Sequence, residues 1–168
     1  MSTQEPPNPL VLAITAPSNP PPDSPPTITL TITNPSSDPY TLLTWGSPLD
    51  PLALPLGLLA ITLPSGLPLP LEPPRILVKR RTPPPAEDFV TIEPGGAASR
   101  DVVLRPPVFD AAALRAEGVE RARVGWGEGK GVTVWMGEVT EAERGGMGWG
   151  DDRARRWVPR GEGVVVRV

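Results

Sequence analysis

Thr27-Ile28-Thr29-Leu30-Thr31-Ile32-Thr33 decides the fold class. Ile28, Leu30 and Ile32 alternate with four threonines, and every residue in the run favours extended backbone. Successive side chains of a strand point to opposite faces. Three large apolar groups therefore face one way and four hydroxyls the other. A stripe of that kind belongs to a sheet with one face on a core and one toward water.

Outward from this run the same pattern recurs between turn clusters. Upstream, Leu10 to Ala16 reads as a strand, and Pro17 to Pro26 holds too many prolines to be helical. Residues 1–9 read as a flexible Pro-rich tail. Downstream, Asn34 to Pro39 is a turn cluster, Tyr40 to Trp45 a third strand and Leu56 to Leu63 a fourth. Leu67 to Leu71 alternates leucine with proline, which suits a sheet edge. Ile76 to Arg80 reads as a short strand, open to an added partner strand, before Pro83-Pro84-Pro85. Asp88 to Glu93 leads into the turn Pro94-Gly95-Gly96, and Ser99 to Arg105 is another strand.

Asp110 to Glu117 is the one helical piece, with Asp110 as N-cap and Gly118 just past its end. Val119 to Trp126 and Val132 to Val139 are expected to form a hairpin across Gly127 to Gly131. Thr140 to Arg156 reads as a long Gly-rich, charged loop, and Val164 to Val168 closes the chain as a strand. About nine or ten short strands without alternating helices predict an all-β, immunoglobulin-like, two-sheet antiparallel β-sandwich. Its one short helix lies near 110–117. Residues 10–168 are expected to form a single domain with a Gly/Trp-rich loop at 140–157.

Composition narrows function by exclusion. The 168 residues contain no histidine and no cysteine. A Ser-His-Asp triad, a Cys-His pair and the common zinc ligand sets are all ruled out. Glu87 with Asp88, and Asp151 with Asp152, are sequence neighbours and do not face each other across a cleft as paired acids must. The Asp-rich spacing of a calcium loop is missing too, so no metal, no cofactor and no enzyme activity are expected. Net charge is −3, from 16 basic and 19 acidic residues, which gives no field for nucleic acid. Lys79-Arg80-Arg81 lacks the interleaved aromatics of a strand-binding surface. Gly125 to Gly131 lacks a phosphate-loop register. Leu52 to Leu63 is too short and too broken to cross a bilayer, so no membrane contact is expected. The start MSTQEPPNP has no secretory pattern, which makes the cytoplasm the default.

Recognition remains, and five residues are candidates for partner contact: Asp50, Arg80, Arg81, Trp149 and Trp157. Trp45-Gly-Ser-Pro-Leu-Asp50 lies where a strand leaves the sheet. Its aromatic and carboxylate serve either a binding loop or a core and a backbone cap. Lys79-Arg80-Arg81 either docks an acidic segment or pins the proline loop through ion pairs with Glu87 and Asp88. Trp126 and Trp135 fill a core short of Phe and Tyr or contribute to a surface. Trp149 and Trp157, in a glycine-rich setting, are contact candidates for protein or for sugar.

Asn34 to Asp50 and Val78 to Gly95 together resemble the N-terminal β-domain, or prodomain, of deuterolysin-like and peptidyl-Lys zinc metalloendopeptidases. In that family a Leu-Leu-x-Trp-x-x-Pro-Leu-Asp-like segment precedes a Lys-Arg-x-x-Pro-x-x-Glu-Asp-[Phe/Tyr]-Val-like segment and a further strand. The resemblance covers roughly residues 10 to 125 and implies an accessory β-domain. The zinc-binding His-Glu-x-x-His helix of the peptidase has no counterpart here, so its activity does not carry over. The expected function is a non-catalytic protein-binding module whose partner could be such an endopeptidase. The alternatives are an in-trans inhibitor or folding chaperone of that enzyme, and a carbohydrate-binding module.

Overall fold

The computed structural model describes residues 9–69, 76–144 and 153–168. Among them ten strands occur in chain order with two short α-helices and one 3-10 turn at Ala86–Asp88. The strands are β1 (Val11–Thr15), β2 (Thr27–Thr33), β3 (Tyr40–Leu43), β4 (Leu59–Thr62), β5 (Phe89–Ile92), β6 (Ala97–Val103), β7 (Arg121–Trp126), β8 (Val132–Met136), β9 (Ala154–Trp157) and β10 (Val164–Arg167). The helices are α1 (Ala111–Ala116), after β6, and α2 (Glu141–Arg144), after β8. The architecture is all-β and immunoglobulin-like, as the alternation in β2 implies.

The strands are hydrogen-bonded in three antiparallel groups: β1-β2-β6, β10-β7-β4 and β5-β3-β8-β9. Ile28, Leu30 and Ile32 of β2 are fully buried, flanked by Leu12 and Ile14 of β1 and Val102 of β6. They join one apolar cluster with Leu42, Ile61, Val124, Val134, Trp126 and Trp157, so side chains from all three groups share a core. The threonines of β2 face the other way. Thr29 donates to Asp101 at 2.6 Å, and Thr31 and Ser99 share a hydroxyl bond of 2.9 Å.

Trp126 and Trp135 do not meet in a hairpin. β7 is a central strand, with β4 on one edge and β10 on the other, so β8 has no free edge of β7 to join. The chain instead crosses to the third sheet after Gly127, whose N–H donates to Leu58, while the Trp126 indole N–H donates to the Lys130 carbonyl. Two other expectations also change. Ile76 to Arg80 is not a strand, and Leu77 is 89% exposed. The segment is tied down by a side chain, Arg80, rather than by a ladder. The expected loop 140–157 contains α2 and the paired strand β9. The proline-alternating stretch adds only a bridge between Thr62 and Pro68, and residues 70–71 of it lie outside the described set. The tail at 1–8 also lies outside it.

Local signals explain the helices. Asp110 caps α1 by accepting from the Ala113 N–H at 3.0 Å, and Gly118 follows with φ +83°. α2 opens on the glutamate half of a capping box: the Thr140 N–H and hydroxyl both donate to Glu143 Oε2. Among described residues no helix is long and apolar enough to cross a membrane.

Candidate functional site

The chain leaves β3 at Thr44 and runs through successive tight turns to Gly57. Pro48 and Pro51 cannot donate, and the remaining N–H groups near the turn need acceptors. Asp50 provides one carboxylate for two of them. Gly46 N–H donates to Oδ2 at 2.6 Å and Leu52 N–H to Oδ1 at 2.9 Å. Asp50 is 0% exposed, and a carboxylate that deep needs a cation. Arg80 supplies it, with Nη2 at 2.7 Å from Oδ2. The same guanidinium sits 5.0 Å from the centroid of the Trp45 ring. Asp50, Arg80 and Trp45 therefore form one stack that pins the 76–85 segment against the turn after β3.

That stack stands beside a cleft of about 760 Å3 lined by Leu43, Trp45, Thr133, Trp135, Ala154 and Arg156. Its floor is the outer face of β3, β8 and β9. Leu42 and Val134 turn into the core, so Leu43, Thr133 and Trp135 turn away from it. Trp135 is only 6% exposed yet lies outside the main core cluster. Phe89 of β5 meets it edge-on, with centroids 6.3 Å apart. Its indole N–H is buried without an acceptor among the described residues. Arg156 leans over the start of β8 and donates to the Gly129 carbonyl at 3.2 Å. A Cβ on Gly131 would stand 2.5 Å from Arg156 Nε, so any larger residue there would push the arginine side chain aside.

The five candidates thus fall in different places. Asp50 and Arg80 come together, but Asp50 is sealed behind the arginine and offers no side chain to a partner. Arg81 is exposed next to Arg80. Trp157 is 0% exposed in the core, because β9 turns it inward opposite Val132. It presents no surface. Trp149, on which the sugar-stacking reading leaned, lies outside the described residues, as do Asp151 and Asp152. Glu87 and Asp88 form no ion pair with the basic run; Asp88 contributes its backbone carbonyl to the Thr44 N–H.

Sequence reasoning missed three parts of this region. Arg156 and Gly131 needed the β8-β9 pairing to be seen. Asn34 is the third. Its fully buried amide donates to the Asp38 and Ile92 carbonyls and accepts from Ser36, locking the turn before β3 onto β5. Asn-Pro-Ser-Ser already signals an Asx turn. Among described residues no group of three or more acidic side chains gathers to hold a metal.

Stacked antiparallel layers around one apolar core define a β-sandwich of the immunoglobulin-like kind. Residues 17–157 match the immunoglobulin-like domain, and the chain belongs to that family. A relative from Arthroderma benhamiae, described as an "Uncharacterized secreted protein", is 38% identical over 77 residues. The match takes in 46% of this chain and 38% of the relative, so the chain spans well under half of that protein's length. The secreted relative overturns the cytoplasmic default, which rested only on a leader pattern missing from the first residues.

Proposed function

We propose that this chain is an extracellular, non-catalytic recognition module that binds another protein on the outer face of β5-β3-β8-β9. One observation carries the proposal: Leu43, Trp45 and Trp135 lie outside the main core and line a 760 Å3 cleft, with Phe89 edge-on to Trp135 behind them. A sheet face that only meets water is normally polar. Trp and Arg at a cleft are the side chains that dominate protein interfaces, because they bury large areas and still offer polar edges. An apolar anchor of the partner fits between Trp45 and Trp135, with Arg156 at the rim. The secreted relative supports the extracellular setting.

Thr133→Arg tests this. It fills the cleft from a half-buried position without touching the core. The expected result is loss of cross-linking to proteins of the producing cell's medium by a variant that stays folded by circular dichroism, its melting temperature lowered only by the new arginine's position opposite Arg156. Unchanged capture by a folded variant sinks the proposal.

A second reading, an inhibitor or chaperone acting in trans on a zinc endopeptidase, has one specific support. The two segments that carry the prodomain resemblance behave as one physical unit: Leu43 pairs with Phe89, Thr44 bonds Asp88, and Asp50 holds Arg80. Pure protein added to a deuterolysin-like enzyme should then slow it. No effect at micromolar concentration removes the idea.

A further inference from the structure

We infer that the open edge of β10 is a second docking site, independent of the aromatic cleft, which takes an extended acidic peptide segment as an added strand. β10 ends its sheet: β7 pairs with one side and no strand pairs with the other among the described residues. Val168 N–H bonds the Glu120 carbonyl on the β7 side. By the two-residue period of an antiparallel ladder, Val166 and Val164 also turn toward β7, while the N–H and C=O groups of Val165 and Arg167 turn outward. These outward groups have no partner among the described residues.

They open into a groove of about 870 Å3, walled on the far side by the loop Pro17–Pro26 and by the start of α1. The proline wall has few N–H groups of its own and so leaves the edge uncovered. The groove is charged in one particular way. Arg121 and Arg167 stand directly opposite each other in the β7-β10 ladder, on the same outer face, since their neighbours Ala122 and Val166 are buried. Like charges in that position destabilise a sheet. Arg115 lines the same groove from the last turn of α1. None of the three is in an ion pair; the pairs among described residues are Arg80–Asp50 and Arg153–Glu143. Two carboxylates line the groove, Asp23 and Asp110, and Asp110 is committed to capping α1. Against two side-chain carboxylates, the opposed Arg121 and Arg167 stand without an ion-pair partner among the described residues.

A free ladder edge selects extended polypeptide, and the opposed arginines select acidic side chains on it. An isolated small anion would leave the edge unpaired. A polyanion without amides would ignore it.

The test uses the full chain and an alternating valine–glutamate hexapeptide as probe. Binding should slow amide exchange at Val165 and Arg167 and weaken as salt rises. Arg121→Glu with Arg167→Glu should weaken it by about tenfold or more. Val165→Pro removes only an outward N–H, so it should abolish binding while the fold and all arginines stay. Thr133→Arg should bind the hexapeptide as the parent does, which separates this site from the cleft. The inference fails if a peptide N-methylated at alternate amides, or heparin, binds as tightly as the hexapeptide. It fails equally if the free chain self-associates through β10, which Val165→Pro would reverse, or if the lysine counterpart of the peptide binds as well.

Discussion

Replacing Asp50 with alanine should be among the most damaging single changes in the chain. The carboxylate is fully buried and accepts from the Gly46 N–H, the Leu52 N–H and the Arg80 guanidinium. Alanine strands two backbone donors and leaves a guanidinium, 22% exposed, over an aromatic ring with no counter-ion. Bonds to a charged acceptor are each worth about 1.5–3 kcal/mol, but the Arg80 end is partly recovered by water. A net loss of about 3–5 kcal/mol follows, the range for breaking a buried pair from one side. For a chain this size that lowers the melting temperature by roughly 10 °C. Urea denaturation followed by tryptophan fluorescence gives the free energy. Arg80→Met keeps the stem on Trp45 but leaves the fully buried carboxylate without its cation, so it too should cost about 3–5 kcal/mol. The double variant should fall short of additivity by about 1–3 kcal/mol. A cost under about 1 kcal/mol for the alanine variant, or additivity within about 0.3 kcal/mol, would refute the view that this pair anchors the loop.

Three further outcomes are expected. Trp157→Ala empties a fully buried site and should cost about 3–5 kcal/mol, whereas Trp157→Phe also removes an indole N–H that is buried without an acceptor and should cost far less; chemical denaturation of both variants decides. Excising residues 140–157 removes β9 and Trp157 from the core, so circular dichroism should show an unfolded or loosened chain rather than a trimmed one. Glu143 is held below the usual carboxylate range, first by the Thr140 N–H, then by the Thr140 hydroxyl and Arg153. A depressed folded-state pKa stabilises above the ordinary carboxylate pKa and is lost as pH falls through the lowered one. Exchange protection of the Thr140 amide should therefore fade below that lowered pKa, and Glu143→Gln should show no such acid-dependent loss.

The sandwich could be read from sequence wherever a residue's local pattern and its burial agree. β2 is the clearest case, because its alternation survives whichever strands flank it. β1, β3, β7 and α1 follow for the same reason, with Asp110 and Gly118 marking the helix ends. What could not be read was which strand meets which. A five-residue, glycine-rich link between β7 and β8 suits a hairpin locally, yet β4, far upstream, and β10, downstream, occupy both edges of β7. Long-range competition of that kind leaves no trace in the link itself. Ile76 to Arg80 misled for a related reason: it has the composition of a strand, but it joins no ladder and is held by the ion pair between Arg80 and Asp50, thirty residues away. For the site, Asp50 showed its capping role in the turn chemistry around it. The cleft did not show, because Trp135 and Arg156 become neighbours only through the β8-β9 ladder.

Where recognition can occur follows from comparing how each sheet satisfies its own outer surface. On β2 and β6, Thr29 bonds Asp101 and Thr31 bonds Ser99 across the strands, so that face spends its hydroxyls internally and has little left for a partner. Thr41 and Thr91 do the same between β3 and β5, and Thr41 also bonds the Gly137 carbonyl. The same face changes character beside that pair: Trp135 stands opposite Thr41 in the β3-β8 ladder, and two residues further along β3 and β5 Leu43 and Phe89 replace the threonines with apolar and aromatic surface. At β10 the surplus is of another kind, an unpaired ladder edge under two facing arginines. One location lacks an apolar partner, the other lacks acceptors and negative charge. A single ligand does not meet both demands, which is why blocking either site should leave binding at the other intact.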